Sequence, residues 1–240
     1  YLTTNPVGGT TYDYACDPAT TCGSASATPN VIHLRGLPRE QWVSTDLAGS
    51  NANKVSLTTY AYDQSGLTDR SGITGLCTTF TGAQCTSANS TAYVTRGNVT
   101  GVTRYANAAA QAGALNASSS YDIAGNVVSA TDPKGYTSQV TYADSFCNGP
   151  TCGGTYTPNT YAFPSGTTSP VPDVSTAYGY PAGTFGTTFA LTSSTVYDFY
   201  TGLVYSATDA NNKTTTFEYN DLLNRPTAQV SADNGRTDVQ

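Results

Sequence analysis

The stretch from Tyr121 to Tyr142 reads YDIAGNVVSATDPKGYTSQVTY, and the chain repeats it closely from Tyr197 to Tyr219 as YDFYTGLVYSATDANNKTTTFEY. Each copy begins with Tyr-Asp, soon reaches a glycine, contains Ser-Ala-Thr-Asp and ends on a tyrosine. Each therefore has room for two short strands and two turns. The shared positions are Tyr121, Asp122, Gly125, Asp132, Gly135 and Tyr142 in the first copy, and Tyr197, Asp198, Gly202, Asp209, Asn212 and Tyr219 in the second.

The turn residues at these positions have a local physical role. An aspartate can accept hydrogen bonds from backbone amides two residues further on, which predicts Asx-type turns at Asp122 and Asp198. A glycine after each aspartate can adopt the positive φ that closes the bend. The second turn is Asp-Pro-Lys-Gly in one copy and Asp-Ala-Asn-Asn in the other, and asparagine is the residue that best replaces glycine in the left-handed region.

The regularity of the repeat divides the chain into four segments. Residues 1–59 are an N-terminal β segment, and residues 60–145 hold repeat units with an insertion. Residues 146–190 hold degenerate Pro/Gly/Tyr-rich units, and residues 191–240 hold the C-terminal units. The one stretch of helix-like composition, residues 106–115, contains a glycine and lacks an apolar stripe, so it predicts a turn or two of helix at most.

The composition indicates an all-β protein. The chain has 18 Tyr, 23 Gly and only 11% charged residues, and tyrosine, threonine and glycine suit pleated surfaces joined by tight turns. The formal net charge of −6 and the absence of a Lys/Arg cluster argue against a nucleic-acid partner. No apolar run approaches the length of a membrane span, about 20 residues. We expect stacked antiparallel hairpins that coil into a shell, a spiral or a fibre-like sheet.

The six cysteines form three pairs that are close in sequence, with five, seven and four intervening residues. Each pair lies in a loop-like segment, which predicts three loop-closing disulfides and an oxidising compartment. A zinc site is the alternative, although these gaps do not match zinc knuckles. Because the chain has no methionine and shows no signal peptide, we expect a processed chain or part of a longer one. The predicted pairs are Cys16 with Cys22, Cys77 with Cys85, and Cys147 with Cys152.

The repeated pattern resembles the YD repeats of the RHS-repeat family of bacterial secreted and cell-surface proteins. The stretches HLRGLPRE (33–40), RGNVT (96–100), YDIAGNVVSATDPKG and DANNKTTTFEYNDLLNRP carry the resemblance, which touches most of the chain. It implies a ribbon of β-hairpins around a hollow interior, which in that family often encloses a toxin domain. The Asp-Pro-Leu-Gly-like signature of the family's self-cleaving core has no counterpart here, so the scaffold alone carries over.

Catalytic chemistry has few candidates in this sequence. His33 is the one histidine, and it lies in a strand-like run without a nucleophile motif nearby, so we expect a structural role. The stretch DANNK is compatible with a turn and does not match a calcium loop. A glycoside hydrolase would need two carboxylates across a cleft, but recurrence at equivalent turn positions favours a structural role. The carboxylates concerned are Asp122, Asp132, Asp198, Asp209 and Glu218.

These observations favour a non-enzymatic, extracellular structural scaffold without a cofactor, forming part of a repeat shell or a surface fibre. Open sheet edges recruit strands, so the expected partners are further repeats of the same chain or copies of itself. A carbohydrate-binding surface module with exposed tyrosines is the main alternative, and a hydrolase with an aspartate pair is the third. Glycosylation sequons occur at Asn89, Asn98, Asn116 and Asn212.

Overall fold

The structure is a computed structural model that describes residues 8–13, 37–46, 50–70, 73, 91, 94–148 and 152–239. The chain forms two compact units, one made of residues 1–69 and 86–136 and the other of residues 70–85 and 137–240. The boundary after residue 136 falls inside the predicted segment 60–145.

The first unit is an antiparallel sheet in which each strand pairs with its neighbours in sequence. A short 3-10 helix, Asn51–Asn53, precedes the third strand. Residues 106–115 contain no helical turn. They form the tip of a hairpin, where Gln111 (φ 51°) and Gly113 (φ 65°) reverse the chain. The strands are β1 (Gly8–Asp13), β2 (Leu37–Ser44), β3 (Lys54–Tyr62), β4 (Val99–Asn107), β5 (Ala112–Tyr121) and β6 (Val127–Thr131).

The second unit is an antiparallel sheet with one short ribbon attached to it. Its strands are β7 (Thr137–Thr141), β8 (Phe146–Cys147), β9 (Thr155–Tyr156), β10 (Gly166–Thr168), β11 (Thr192–Asp198), β12 (Val204–Thr208), β13 (Thr214–Glu218), β14 (Ala228–Val230) and β15 (Arg236–Asp238). The order in the sheet is β7-β10-β11-β12-β13-β14-β15, while β8 pairs in parallel with the end of β11 and antiparallel with β9. A 3-10 helix, Ser175–Tyr178, lies between β10 and β11.

The sheets have a thin apolar core. Within the described ranges, the buried apolar side chains are Leu57, Ala108 and Ile123 in the first unit and Ile73, Phe146, Cys147, Tyr197 and Ala228 in the second. Hydroxyl pairs bridge neighbouring strands instead, as between Ser120 and Ser129 (2.5 Å) and between Thr208 and Thr214 (2.8 Å). The predicted all-β architecture of stacked antiparallel hairpins is confirmed.

Candidate functional site

The feature that recurs most regularly is a corner where a strand ends on Tyr-Asp. We call this arrangement a Tyr–Asp corner, and its side-chain contacts are described at Tyr62–Asp63, Tyr121–Asp122 and Tyr197–Asp198; β1 also ends on Tyr-Asp, at Tyr12–Asp13. In all three, the strand register shifts immediately before the tyrosine, as it does before Tyr12 in β1. Such a bulge bends and twists the strand end. The corner is therefore a conformational unit that the repeated Tyr-Asp sequence encodes.

Each corner tyrosine donates its hydroxyl to a backbone carbonyl. Tyr62 donates to Pro38 (2.7 Å), Tyr121 to Val99 (2.9 Å) and Tyr197 to Pro164 (2.8 Å). Tyr219, at the end of the second repeat copy, donates to Val204 (2.9 Å). Burial raises the pKa of all four phenols above the ordinary value of 10.0.

The acceptor carbonyls connect one corner with the next. Val99 is the β4 residue opposite Tyr62, and its carbonyl accepts the hydroxyl of Tyr121. Val204 is likewise opposite Tyr197, and its carbonyl accepts the hydroxyl of Tyr219. The tyrosines are thus internal braces between strands. The positions of Tyr121, Tyr197 and Tyr219 were predicted from the repeat, but the carbonyls that accept their hydroxyls belong to residues distant in sequence and give no signal there.

The aspartates Asp122 and Asp198 form the predicted local turns. The amide of Ala124 donates to Asp122 Oδ1 (3.0 Å), and the amide of Tyr200 donates to Asp198 Oδ1 (3.1 Å). The closing glycines have positive φ, at 89° for Gly125 and 70° for Gly202. All these residues act within a few positions of one another, which is why the sequence predicts them.

The second turn of each copy also matches the prediction. Asp132 Oδ1 accepts the amides of Lys134 (2.8 Å) and Tyr136 (2.9 Å), and Asp209 Oδ1 accepts those of Asn211 (2.9 Å) and Lys213 (2.8 Å). Gly135 and Asn212 both adopt positive φ, at 88° and 59°. Tyr142 directly follows β7. The DANNK stretch is therefore a turn whose aspartate binds backbone amides.

Two further aspartates, Asp63 and Asp144, bind backbone amides that are distant in sequence, and the repeat pattern does not predict this role. Asp63 binds the amides of Arg96, Gly97 and Asn98 (2.9, 2.7 and 2.9 Å), and so closes the long excursion between β3 and β4. Asp144 binds the amides of Thr160 and Tyr161 (2.6 and 2.8 Å) in the same way. Asp63 follows a tyrosine, as Asp122 and Asp198 do, but nothing local to it in the sequence shows which distant amides it binds.

A described part of each of these two excursions lies against the next Tyr–Asp corner. Thr68 forms a parallel bridge with Asp122. In the second unit, Phe146 and Cys147 pair in parallel with Tyr197 and Asp198. The ring of Phe146 lies edge-on to Phe199 at a centroid distance of 5.5 Å, and Tyr156 lies edge-on to Phe199 at 4.6 Å. Each excursion thus adds a short parallel segment to the corner that follows it.

The carboxylates proposed for hydrolysis are occupied in the turns described above or in ion pairs. Glu218 is bound by Arg236 through two bonds of 2.5 and 3.0 Å, and this hydrogen bonding lowers the pKa of Glu218. Hydrogen-bond donors also hold the pKa of Asp209 and Asp221 below the usual range, and that of Asp173 at about 2. A glycosidase general acid needs a raised pKa, which is the opposite shift.

Of the six cysteines, Cys147 and Cys152 lie within the described residues, and both are free thiols. The two side chains hydrogen-bond to each other, so they are adjacent although no covalent bond joins them. Burial, together with this hydrogen bond, raises the pKa of the Cys147 thiol to about 12. The predicted Cys147–Cys152 disulfide is not confirmed. Cys16, Cys22, Cys77, Cys85 and the histidine His33 lie outside the described residues.

The sequons differ in accessibility. Asn116 and Asn212 are exposed, whereas the amide nitrogen of Asn98 is buried. Glycan transfer modifies that nitrogen, so Asn98 is a poor acceptor in the folded protein. Asn89 lies outside the described residues. Within the part of the chain that the structure describes, no cluster of three metal-ligating side chains occurs, and no helix is long and apolar enough to cross a membrane.

Exposed aromatic rings concentrate in the second unit. Tyr178, Tyr180 and Tyr200 expose 69%, 53% and 73% of their surface. Tyr200 also lines a groove together with Tyr205, Tyr219, Asn220 and Asn224. Tyrosine rings beside amide groups can stack on and hydrogen-bond to a polar ligand. No protein-family model matches the sequence, and no curated protein matches it.

Proposed function

We propose that the chain is a non-enzymatic structural scaffold of the YD-repeat type, in which Tyr–Asp corners brace successive hairpins. The observation that carries the proposal is the use of the repeated residues. The corner tyrosine hydroxyls bind backbone carbonyls, and the corner aspartates bind backbone amides. These groups are committed to internal contacts, as expected for a scaffold and not for a site that must bind and release a substrate.

An extracellular location and a wall-like or fibre-like assembly are part of this proposal. The resemblance to secreted RHS-repeat proteins supports the location, and the open sheet edges support the assembly. Strand β15 pairs only with β14 among the described residues. In this pair, the amide of Val239 faces Thr227, so by antiparallel alternation the amides of Arg236 and Asp238 face away from β14. That edge is available to another strand, supplied by further repeats or by a second copy.

The edge can be tested with a proline that blocks it without removing an internal hydrogen bond. Asp238→Pro deletes an outward amide, while the control Asp238→Ala keeps it and removes the same carboxylate. We expect negative-stain electron microscopy and light scattering to show ordered particles or filaments for the natural chain and the alanine variant. The proline variant should remain monomeric. Monomers for all three proteins, or unchanged assembly of the proline variant, would refute edge pairing.

Carbohydrate binding is the second candidate, and the exposed Tyr200 in the amide-lined groove favours it. Titration calorimetry with soluble oligosaccharides tests it directly. We expect Tyr200→Ala to abolish binding if the groove is used, while Tyr178→Ala, outside the groove, serves as the matched control. If no class of sugar gives binding heat, carbohydrate binding is refuted and the structural scaffold remains the proposed function.

A further inference from the structure

A third turn, at Asp221, has the construction of the turn at Asp122, and it shares with the turn at Asp198, which is one residue longer, the bond from the amide two residues on. The amide of Leu223 donates to Asp221 Oδ1 (2.6 Å), and Asn224 takes the closing position with φ 55°. Arg225 binds Asp221 Oδ2, as Asn126 binds Asp122 Oδ2. Counting from the aspartate, Leu222 is therefore equivalent to Ile123 and Phe199.

At the Asp122 and Asp198 corners, an extended segment covers this position. The amide of Ile123 donates to the Thr68 carbonyl (3.0 Å), and the Thr68 amide donates to the Tyr121 carbonyl (2.9 Å). The amide of Phe199 likewise donates to the Cys147 carbonyl (3.0 Å). As a result, Ile123 is only 1% exposed, and Phe199 packs on the ring of Phe146.

Among the residues that the structure describes, no segment covers the Asp221 corner. The side chain of Leu222 is fully exposed and that of Leu223 is 73% exposed. The Leu222 amide has no acceptor among the residues that the structure describes. An apolar side chain and a backbone donor are therefore left together at the position where the two equivalent corners bind a parallel segment.

We propose that Leu222, Leu223 and the Leu222 amide form a docking site for an extended peptide segment of a partner protein. The segment would run parallel to the corner, present a carbonyl to the Leu222 amide, and cover the leucines with a large aromatic or aliphatic side chain, as Phe146 covers Phe199. A partner is favoured over a second copy because both described segments of this kind, at Thr68 and at Phe146–Cys147, already cover corners of their own chain. The site belongs to the loop between β13 and β14, whereas edge assembly would use the outward amides of β15, so the two proposals rest on different groups.

The test uses the chain's own covering segment as the probe. A synthetic peptide with the sequence of residues 142–157, both cysteines replaced by serine, is titrated into the isotope-labelled chain and followed by amide NMR shifts. We expect saturable shifts at the Asp221 corner with a Kd below about 1 mM. A Phe146→Ser version of the peptide should bind at least tenfold more weakly.

Variants of the chain show whether the corner is responsible. Leu222→Ser changes a fully exposed side chain and should preserve the fold while abolishing the shifts. Phe189→Ser, at another exposed apolar position of the same unit, should bind like the natural chain. No saturable shifts up to about 1 mM, or equal binding by Leu222→Ser, would overturn the proposal. Sedimentation without peptide is the last arm: self-association lost in Leu222→Ser but kept in Asp238→Pro would make a second copy the occupant and refute the choice of a partner.

Discussion

The Asp122 and Asp198 corners share their Tyr-Asp sequence and a turn that begins at the aspartate, one residue longer at Asp198, yet they differ in burial. Asp122 is fully buried and Ile123 is 1% exposed, whereas Asp198 is half-buried and Phe199 remains partly open. Thr68 bridges the first corner, and the β8–β9 ribbon covers the second. The turn is therefore set by its own residues, while its burial is set by the segment that arrives from a distant part of the chain.

Substitutions of the residue after the aspartate should show the largest difference in unfolding free energy between a covered and an uncovered turn. Ile123→Ala removes buried methyl groups and should lower the free energy of unfolding by about 2–5 kcal/mol. Leu222→Ala, at the equivalent exposed position, should change it by less than about 0.5 kcal/mol. Urea denaturation followed by circular dichroism measures both. Similar losses of stability at the two positions would show that the covering segment does not determine how much this side chain contributes to the free energy of unfolding.

The corner aspartates give the next contrast. Asp122→Ala leaves buried amides without an acceptor and should cost about 2–3 kcal/mol, while Asp198→Ala should cost about 1 kcal/mol because water reaches that turn. The same urea experiment applies, with Asp132→Ala as an exposed turn control. An Asp198 variant that loses as much stability as the Asp122 variant would contradict the comparison.

The β8–β9 ribbon, which covers the Asp198 corner, contains Cys147 and Cys152, and the bonding state of these two cysteines can be tested. If an oxidising environment joins Cys147 to Cys152, the closed loop should stabilise the protein by about 2 kcal/mol on the loop-entropy estimate. Intact-mass spectrometry before and after reduction detects the bond, and Cys152→Ser supplies the unbridged control. A full complement of free thiols in chain isolated from an oxidising compartment would exclude the predicted disulfide.

The tyrosine braces should have the smallest individual effects. Tyr121→Phe or Tyr219→Phe leaves a carbonyl without its donor and should cost about 1 kcal/mol, whereas Tyr178→Phe, on an exposed side chain, should cost nothing measurable. Burial raises the pKa of the brace phenols in the folded state above 10.0, so their contribution is complete below pH 10 and is lost as pH rises through the raised pKa. Stability measured against pH should fall above pH 10, and less steeply in the Tyr→Phe variants. An unchanged slope in those variants would mean that the hydroxyls do not titrate with unfolding.

The sequence predicted the parts of the corner that act over a few residues. Tyr-Asp, the closing glycine or asparagine, and the alternation of the flanking strands constrain φ and ψ locally, and the structure has these turns at the predicted positions. The sequence did not show that Cys147 and Cys152 are free thiols, nor that the amide nitrogen of Asn98 is buried. Both depend on which side chains lie nearby after folding.

The sequence by itself determined the β-hairpins, their turns and the residues that form the corners, because each depends on local backbone preferences and on a period of two. The tertiary structure alone decided which corner is covered. The excursions that cover Asp122 and Asp198 lack a repeat pattern, and the acceptors of the tyrosine braces are carbonyls between 15 and 33 residues away. Every residue carries a carbonyl, so only the folded arrangement of the strands selects the one that each tyrosine reaches.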